Sequence, residues 1–289
     1  MILVVGATGQ LGSKVVRGLI AKKEPVRILA RPASGYQPLA NVGAEVVFGD
    51  LADPPSLLAA CKDIDTVIST ANSARRGGND TVETVDSHGT QSLIDAAAAA
   101  GVRHFISVSV LGENPNSPVP FHAAQARSEE RLRASGMKWT IIAPNGFMES
   151  WPARVIGVPA SEGRPATIIG EGRRRHTFVA EDDVAAFILA AVDNPGAYDQ
   201  HVPVGGPQPL SWRDVAQIYG RVFGRHVDLA HAAPGDVIPG IPAPVLPILA
   251  ALDTYETVFD TSVSARAFGI ALTPLEDVAR RQLDASETR

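Results

Sequence analysis

Residues 2–20 read ILVVGATGQLGSKVVRGLI. The opening ILVV is β-rich and shows no polar alternation, which is how a strand buried on both faces looks. Glycines follow at positions 6, 9 and 12, and a helical pattern then continues to about residue 22. Strand, glycine turn and helix in that order give each glycine a physical task. Gly6 lets the chain turn sharply off the strand. Gly9 leaves no Cβ between the backbone and an approaching diphosphate, and Gly12 lets the helix pack tightly on the sheet. The helix N-terminus adds free N–H groups and a positive partial charge, which suit an anion. The spacing is GxxGxxG rather than GxGxxG, so the strand before it and the helix after it carry the reading.

Outward from this stretch the rhythm repeats. Short apolar runs at 26–29, 44–48, 65–69, 104–110 and 139–143 alternate with helical patterns at 54–62, 82–100 and 122–135. That alternation predicts βαβ units and an α/β fold with a doubly wound parallel sheet, whose strand carboxyl ends share one ligand-binding edge. The pattern changes after about residue 150. Residues 155–175 read as loops with one short strand at TIIG (167–170). Helices are expected at 181–193, 211–223, 262–268 and 274–284, and the prolines between 234 and 247 make that stretch irregular. The expected organisation is a nucleotide domain over 1–150 and a small, mostly helical substrate lobe over 151–289.

Composition limits the function. The 289 residues carry 45% hydrophobic and 20% charged side chains with a net charge of −5, an ordinary soluble globule without the basic face that nucleic acid needs. The basic run Arg173-Arg174-Arg175-His176 is short enough to read as a solvated loop. A single cysteine, Cys61, excludes an internal disulfide and fits a reducing, cytoplasmic setting. MILVVGATG has no basic stretch ahead of its apolar run, so it reads as a strand and not a signal, and VLPILAAL (245–252) is too short to span a bilayer. No HExxH or other metal spacing and no GxSxG elbow occurs, so neither a metal nor a serine triad is expected.

The second expected strand ends near Ala30, and Arg31 follows about twenty residues past the glycines. An acid there would accept from the ribose 2′-OH of NAD. A guanidinium instead suits a 2′-phosphate, so NADP(H) is preferred, with NAD(H) still admitted. Asp50, in Gly49-Asp50-Leu51 after the third strand, is placed either to accept from an adenine amino group or to cap the helix near Pro54.

These stretches, with GVRHFISVSVLG (101–112), RHTFVAEDDVAAFILAAV (175–192) and LTPLEDVARRQL (272–283), resemble the NmrA-like, atypical branch of the short-chain dehydrogenase/reductases over nearly the whole chain. The resemblance implies an NAD(P)-binding Rossmann domain, a C-terminal substrate lobe, and a return of about 175–205 to the Rossmann core. It places Gly6, Thr8, Gly9, Gln10, Leu11 and Gly12 on the pyrophosphate and ribose, Arg31 on the 2′-phosphate, and Asp50 and Leu51 on the adenine. It sets Thr70, Ala71 and Asn72 along the path to the nicotinamide, and Pro144, Asn145, Gly146 and Phe147 against its ring.

The wider superfamily draws its acid from a Tyr and a Lys four residues later. Alignment puts Phe121 and Gln125 at those positions, and neither holds a transferable proton. Gln125 keeps the option of hydrogen-bonding the ribose or carboxamide, and His122 is the alternative donor. Phe121, Met148 and Trp151 are candidate contacts for a flat apolar acceptor; for the segment from 147 to 155 a core helix face is an equal reading. An acceptor that is already electrophilic, such as a quinone, enone or cationic dye, needs no enzyme-borne acid. Two functions stay open: an NADPH-dependent oxidoreductase of a small apolar or aromatic acceptor, and a catalytically silent NADP(H) sensor. An isomerase or dehydratase using bound cofactor is a third, lesser reading, and a homodimer is compatible with all of them.

Overall fold

The structure is a computed structural model that describes residues 1–73, 77–241 and 243–287. Pro242 of the proline-rich stretch lies outside the described residues. The chain runs β1 (Ile2–Val5), α1 (Gln10–Ala21), β2 (Val26–Ala30), α2 (Gln37–Ala40), β3 (Glu45–Phe48), α3 (Pro54–Ala60) and β4 (Thr66–Ser69). A π-helical segment (Val82–Gly89) then leads into α4 (Thr90–Ala99), followed by β5 (His104–Val108), α5 (Pro120–Arg133) and β6 (Lys138–Pro144). Beyond Asn145 come a π-turn (Ala153–Gly157), α6 (Val158–Ser161), β7 (Ala166–Ile169), α7 (Glu181–Ala191), β8 (Gln200–Val204), α8 (Trp212–Phe223), β9 (Leu229–Ala232), α9 (Leu246–Leu252), α10 (Ser262–Phe268) and α11 (Leu275–Glu287).

Seven strands form one sheet in the order β3-β2-β1-β4-β5-β6-β8, and every neighbouring pair from β3 to β6 is parallel. This is the doubly wound α/β fold that the alternation predicts. The order reverses beside β1, between β1 and β4, so the topological switch point lies at the carboxyl ends of these two strands, next to the Gly6 turn. All four residues of β1 and of β4 are buried, as strands covered on both faces must be. Arg27 ties the far side together. It pairs with Glu45 across the β2–β3 ladder at 2.9 Å and donates to the carbonyls of Ala60 and Lys62 at the end of α3.

Two compact units emerge, Met1–Pro144 with Val184–Pro203, and Asn145–Asp183 with Val204–Arg289. In the first, the late segment docks on the earliest helix: a Cβ at Gly18 would meet the Leu189 side chain at 2.4 Å, and Lys22 Nζ donates to the Leu189 carbonyl. The second unit has its own core, in which Tyr219, Phe178, Trp212 and Ile168 pack together with Leu275 and Val278 of α11. It also carries a two-stranded parallel sheet of β7 and β9.

Several elements differ from the sequence reading, three of them instructively. The helix expected over 82–100 is π-helical up to Gly89: Thr81 and Thr84 cap each other's amides, and Thr90 Oγ1 donates five residues back to the Val85 carbonyl, which suits the wider turn. Residues 155–161 are helical within the stretch expected to be loop, because Val155, Ile156 and Ala160 find a core to bury in. Strand β9 has one intermediate and two exposed residues beside another, so no hydrophobic run announces it; its partner β7 defines it.

Candidate dinucleotide site

The glycine turn separates positions that packing requires from one that packing leaves open. Gly6 has φ +83°, and a Cβ there would sit 2.6 Å from the Ala71 amide nitrogen, so no other residue fits. A Cβ at Gly12 would come within 2.2 Å of the Gly6 carbonyl oxygen, so the close approach is of the first helical turn to the glycine turn itself. Gly9 is different. Its φ of −74° is ordinary, it is exposed, and a Cβ would meet only the Gly6 carbonyl, at 3.2 Å. Gly9 also caps α1, where no side chain caps the helix, no acid occupies the first turn, and the earliest bond is Ser13 N–H to the Gly9 carbonyl. A helix start without a side-chain cap or an acid in its first turn fits a dinucleotide diphosphate.

Thr70 fixes the floor of this edge. Its amide donates to the Val5 carbonyl at 2.9 Å, and its hydroxyl lies 3.3 Å from the carbonyls of Val5 and Gly6. Beyond Ala71 and Asn72, Ser73 is anchored to the fully buried Asp86 of the π-helix, with the hydroxyl at 2.5 Å and the amide at 3.2 Å. Sequence reasoning missed Asp86, because nothing at that spacing marks a carboxylate as the anchor of a loop thirteen residues earlier.

Arg31 stands at the end of β2 with its side chain 40% exposed. Its Nη1 donates to Asp80 Oδ2 at 2.8 Å and lies 3.8 Å from Asp50 Oδ2. The other Asp50 oxygen accepts from the Ala52 amide at 2.9 Å, whereas the N-cap of α3 is Asp53; Asp50 therefore closes a local turn and does not cap the helix. Leu51 is 4% exposed and packed in the sheet core. Phe48, half exposed at the end of β3, packs edge-on against Tyr36 with ring centroids 5.3 Å apart.

On α5, Phe121 and His122 are half-buried and Gln125 is 5% exposed. The Gln125 amide has no hydrogen-bond partner among the described residues, and neither has Ser107, 7% exposed near the end of β5. Their polar atoms keep some access to solvent, where water or a ligand can meet them. His122 Nδ1 lies 3.2 Å from the Gly112 carbonyl, so it carries the ring proton, and burial holds the imidazole below its ordinary pKa. Neutral in that tautomer, its Nε2 is an acceptor.

Pro144 ends β6, and the other expected ring contacts fall in the second unit. Asn145 bonds Thr177 and Thr257 through Nδ2 and accepts from the Gly146 amide, while Phe147 bridges Val179. Met148 is 1% exposed within that unit's core, and Trp151 is half-buried against it.

A second cluster had no sequence signal, because its members come from a loop, α5 and β8. Ser109 donates to the buried Glu129 at 2.5 Å, Arg133 donates to the other Glu129 oxygen at 2.7 Å, and His201 Nε2 lies 3.3 Å from Glu113 and 3.7 Å from Glu129. Glu113, Glu129 and His201 bring potential ligand atoms within 4.8 Å of one another. Arg133 and Ser109 already engage both Glu129 oxygens, so the cluster favours a proton on His201 over a metal ion. Interaction with Glu129 raises the His201 pKa against the opposing effect of burial. Burial pushes Glu129 upward, but His201, Ser109 and Arg133 more than reverse it and hold the carboxyl low.

A parallel sheet whose first turn offers uncapped helix amides at the switch point defines a dinucleotide-binding Rossmann protein. Residues 6–195 match the family described as NAD(P)H-binding, and the chain belongs to it. It is 34% identical over 227 residues to the NAD(P)H azoreductase of Xenophilus azovorans, covering 78% of this chain and 75% of that protein. It is 32% identical over 225 residues to the photosystem II assembly factor Ycf39 of Cyanophora paradoxa, covering 78% and 69%. Among solved structures, the Citrobacter sp. triphenylmethane reductase complexed with NADP(H) superposes with a TM-score of 0.82 at 22% identity, over 98% of this chain and 100% of that one, which shows a shared fold. The resemblance to the NmrA-like atypical short-chain dehydrogenase/reductases holds on these grounds.

Proposed function

We propose that this chain is an NADPH-dependent reductase of a small electrophilic acceptor of the azo, quinone, enone or dye class, working without a Tyr/Lys acid pair. The observation that supports the acceptor class is that Phe121 and Gln125 on α5, which the resemblance aligns with the superfamily's Tyr and Lys, carry no transferable proton. When bound, the reduced nicotinamide supplies a hydride. The chain's own residues bind and orient. The amides at the start of α1 hold the diphosphate, Arg31 engages the 2′-phosphate, and Thr70 to Asn72 shape the approach to the ring. The Gln125 amide donates to a ribose hydroxyl or the carboxamide, and Phe121 offers an apolar face to the acceptor. No side chain here delivers a proton at neutral pH, so the acceptor must take hydride unaided and draw its proton from water. The azoreductase relative supports this class, since an azo bond is electrophilic in that sense.

The test is NADPH oxidation across a panel of azo dyes, quinones and enones beside simple ketones. Turnover of the first group without the ketones is expected. Ketone turnover, or none with any acceptor, would overturn the assignment. Arg31→Ala should weaken NADPH by roughly 10- to 100-fold, the range for losing hydrogen bonds to a charged group, with little change for NADH. Equal losses for both would remove the cofactor preference. The likeness to an assembly factor favours a second reading, a nucleotide-bound regulator. Tight NADPH binding with no turnover of any acceptor would select it.

A further inference from the structure

The Arg31 guanidinium is already occupied by the chain. Asp80, on the segment that leads from Gly77 into the π-helix, accepts from Nη1 at 2.8 Å with its side chain 20% exposed, and Asp50 Oδ2 lies 3.8 Å away. Arginine recognises a phosphate through several N–H groups presented together. A carboxylate on one of them removes a donor and places negative charge where a dianion must come. Asp80 is held in place by more than Arg31: its amide donates to the Gly77 carbonyl at 3.2 Å, and the Thr84 hydroxyl ties the neighbouring Asn79 carbonyl at 2.8 Å to the start of the π-helix.

We infer that Asp80 is a specificity-determining residue that competes with the cofactor's 2′-phosphate for Arg31, and so keeps the preference for NADPH over NADH smaller than Arg31 alone would set it. The inference rests on the assignment of Arg31 to the 2′-phosphate. The carboxylate acts as a counterweight: NADPH must displace it, whereas NADH leaves the Arg31–Asp80 pair intact. Both cofactors are then usable, and the ratio of their affinities is set by a residue far along the sequence from the glycine motif.

The test is equilibrium binding, read by fluorescence titration of NADPH and NADH and by calorimetry with 2′,5′-ADP and ADP, on the nucleotide-free protein. Asp80→Asn keeps the shape and removes the charge. It should tighten NADPH and 2′,5′-ADP by roughly fivefold, the scale of a half-exposed ion pair, and move NADH and ADP by less than twofold. In an Arg31→Ala background the same substitution should lose most of its effect on NADPH and 2′,5′-ADP, leaving only the direct repulsion between carboxylate and phosphate, and should not move NADH or ADP. Asp80→Ala repeats the measurement, and circular dichroism of both variants controls for folding. Unchanged NADPH affinity in Asp80→Asn, or a loss confined to NADH, would overturn the inference; the latter would make Asp80 a ribose-hydroxyl acceptor. These failures are distinct from that of the Arg31 assignment, which falls only if Arg31→Ala weakens both nucleotides alike.

Discussion

At the scale of single residues, the three early glycines separate into two kinds. Gly12→Ala forces a Cβ against the Gly6 carbonyl and should cost about 1–3 kcal/mol of stability, the range for overpacking, measured by urea unfolding. Gly9→Val meets no comparable obstacle within the chain, so the fold should survive with little change in midpoint while NADPH binding is lost; retained binding would show that the diphosphate does not pass there. His104 makes a second residue-level case. Thr140 donates its hydroxyl to the Ala197 carbonyl, so it accepts from His104 Nε2–H at 2.9 Å, and this leaves Nδ1 bare and buried. Burial pushes the imidazole pKa down to about 4. The unfolded chain takes up that proton near the ordinary His value of about 6.5, so His104 costs stability as pH falls from there toward 4. His122 and His176, also lowered chiefly by burial, act in the same direction. His104→Gln keeps a donor for Thr140 without titrating, and should flatten the acid side of a melting-temperature profile; an unchanged slope would refute the assignment.

At the scale of elements, the cluster on α5 and β8 has the opposite sign. The raised pKa of His201 means that its stabilising charge is fully present below about pH 6.5 and is lost as pH rises through the higher folded value. Glu113 and Glu129 favour the charged ring and Arg133 opposes it. His201→Gln should therefore lose stability relative to the parent at about pH 6 and converge with it toward about pH 9, read as melting temperature. A difference that does not depend on pH would reduce His201 to a packing residue. What the sequence could say about elements follows from their burial. β1 announced itself as an unbroken apolar run, and β4 as a short β-rich stretch around Val67 and Ile68. The π-helical turn did not, because a wide turn depends on hydroxyls such as Thr90 finding a carbonyl five residues back, and helical periodicity is too coarse to register one extra residue.

At the scale of the whole molecule, no helix among the described residues is long and apolar enough to cross a membrane. With no acid at positions 121 and 125, turnover of a quinone or azo dye should show no step attributable to a tyrosine-type pKa. A flat kcat between about pH 7 and 9 is expected, and a sigmoid there would reveal an enzyme-borne donor. Cys61 does not offer one: burial raises its thiol to about 11, against the opposing influence of Arg27.

The sequence by itself determined the dinucleotide fold, because glycine is a local requirement and buried parallel strands are a local pattern: both are written in neighbouring residues. It also showed that positions 121 and 125 hold Phe and Gln, neither of which carries a transferable proton wherever it lies. Tertiary structure alone decided that Gly12 packs against Gly6, that Asp80 covers Arg31, that Asp86 anchors Ser73, and that Glu113, Glu129 and His201 meet. Each of these joins charges or backbones whose separation along the chain has no period, so only the folded geometry brings them within a few ångströms of one another.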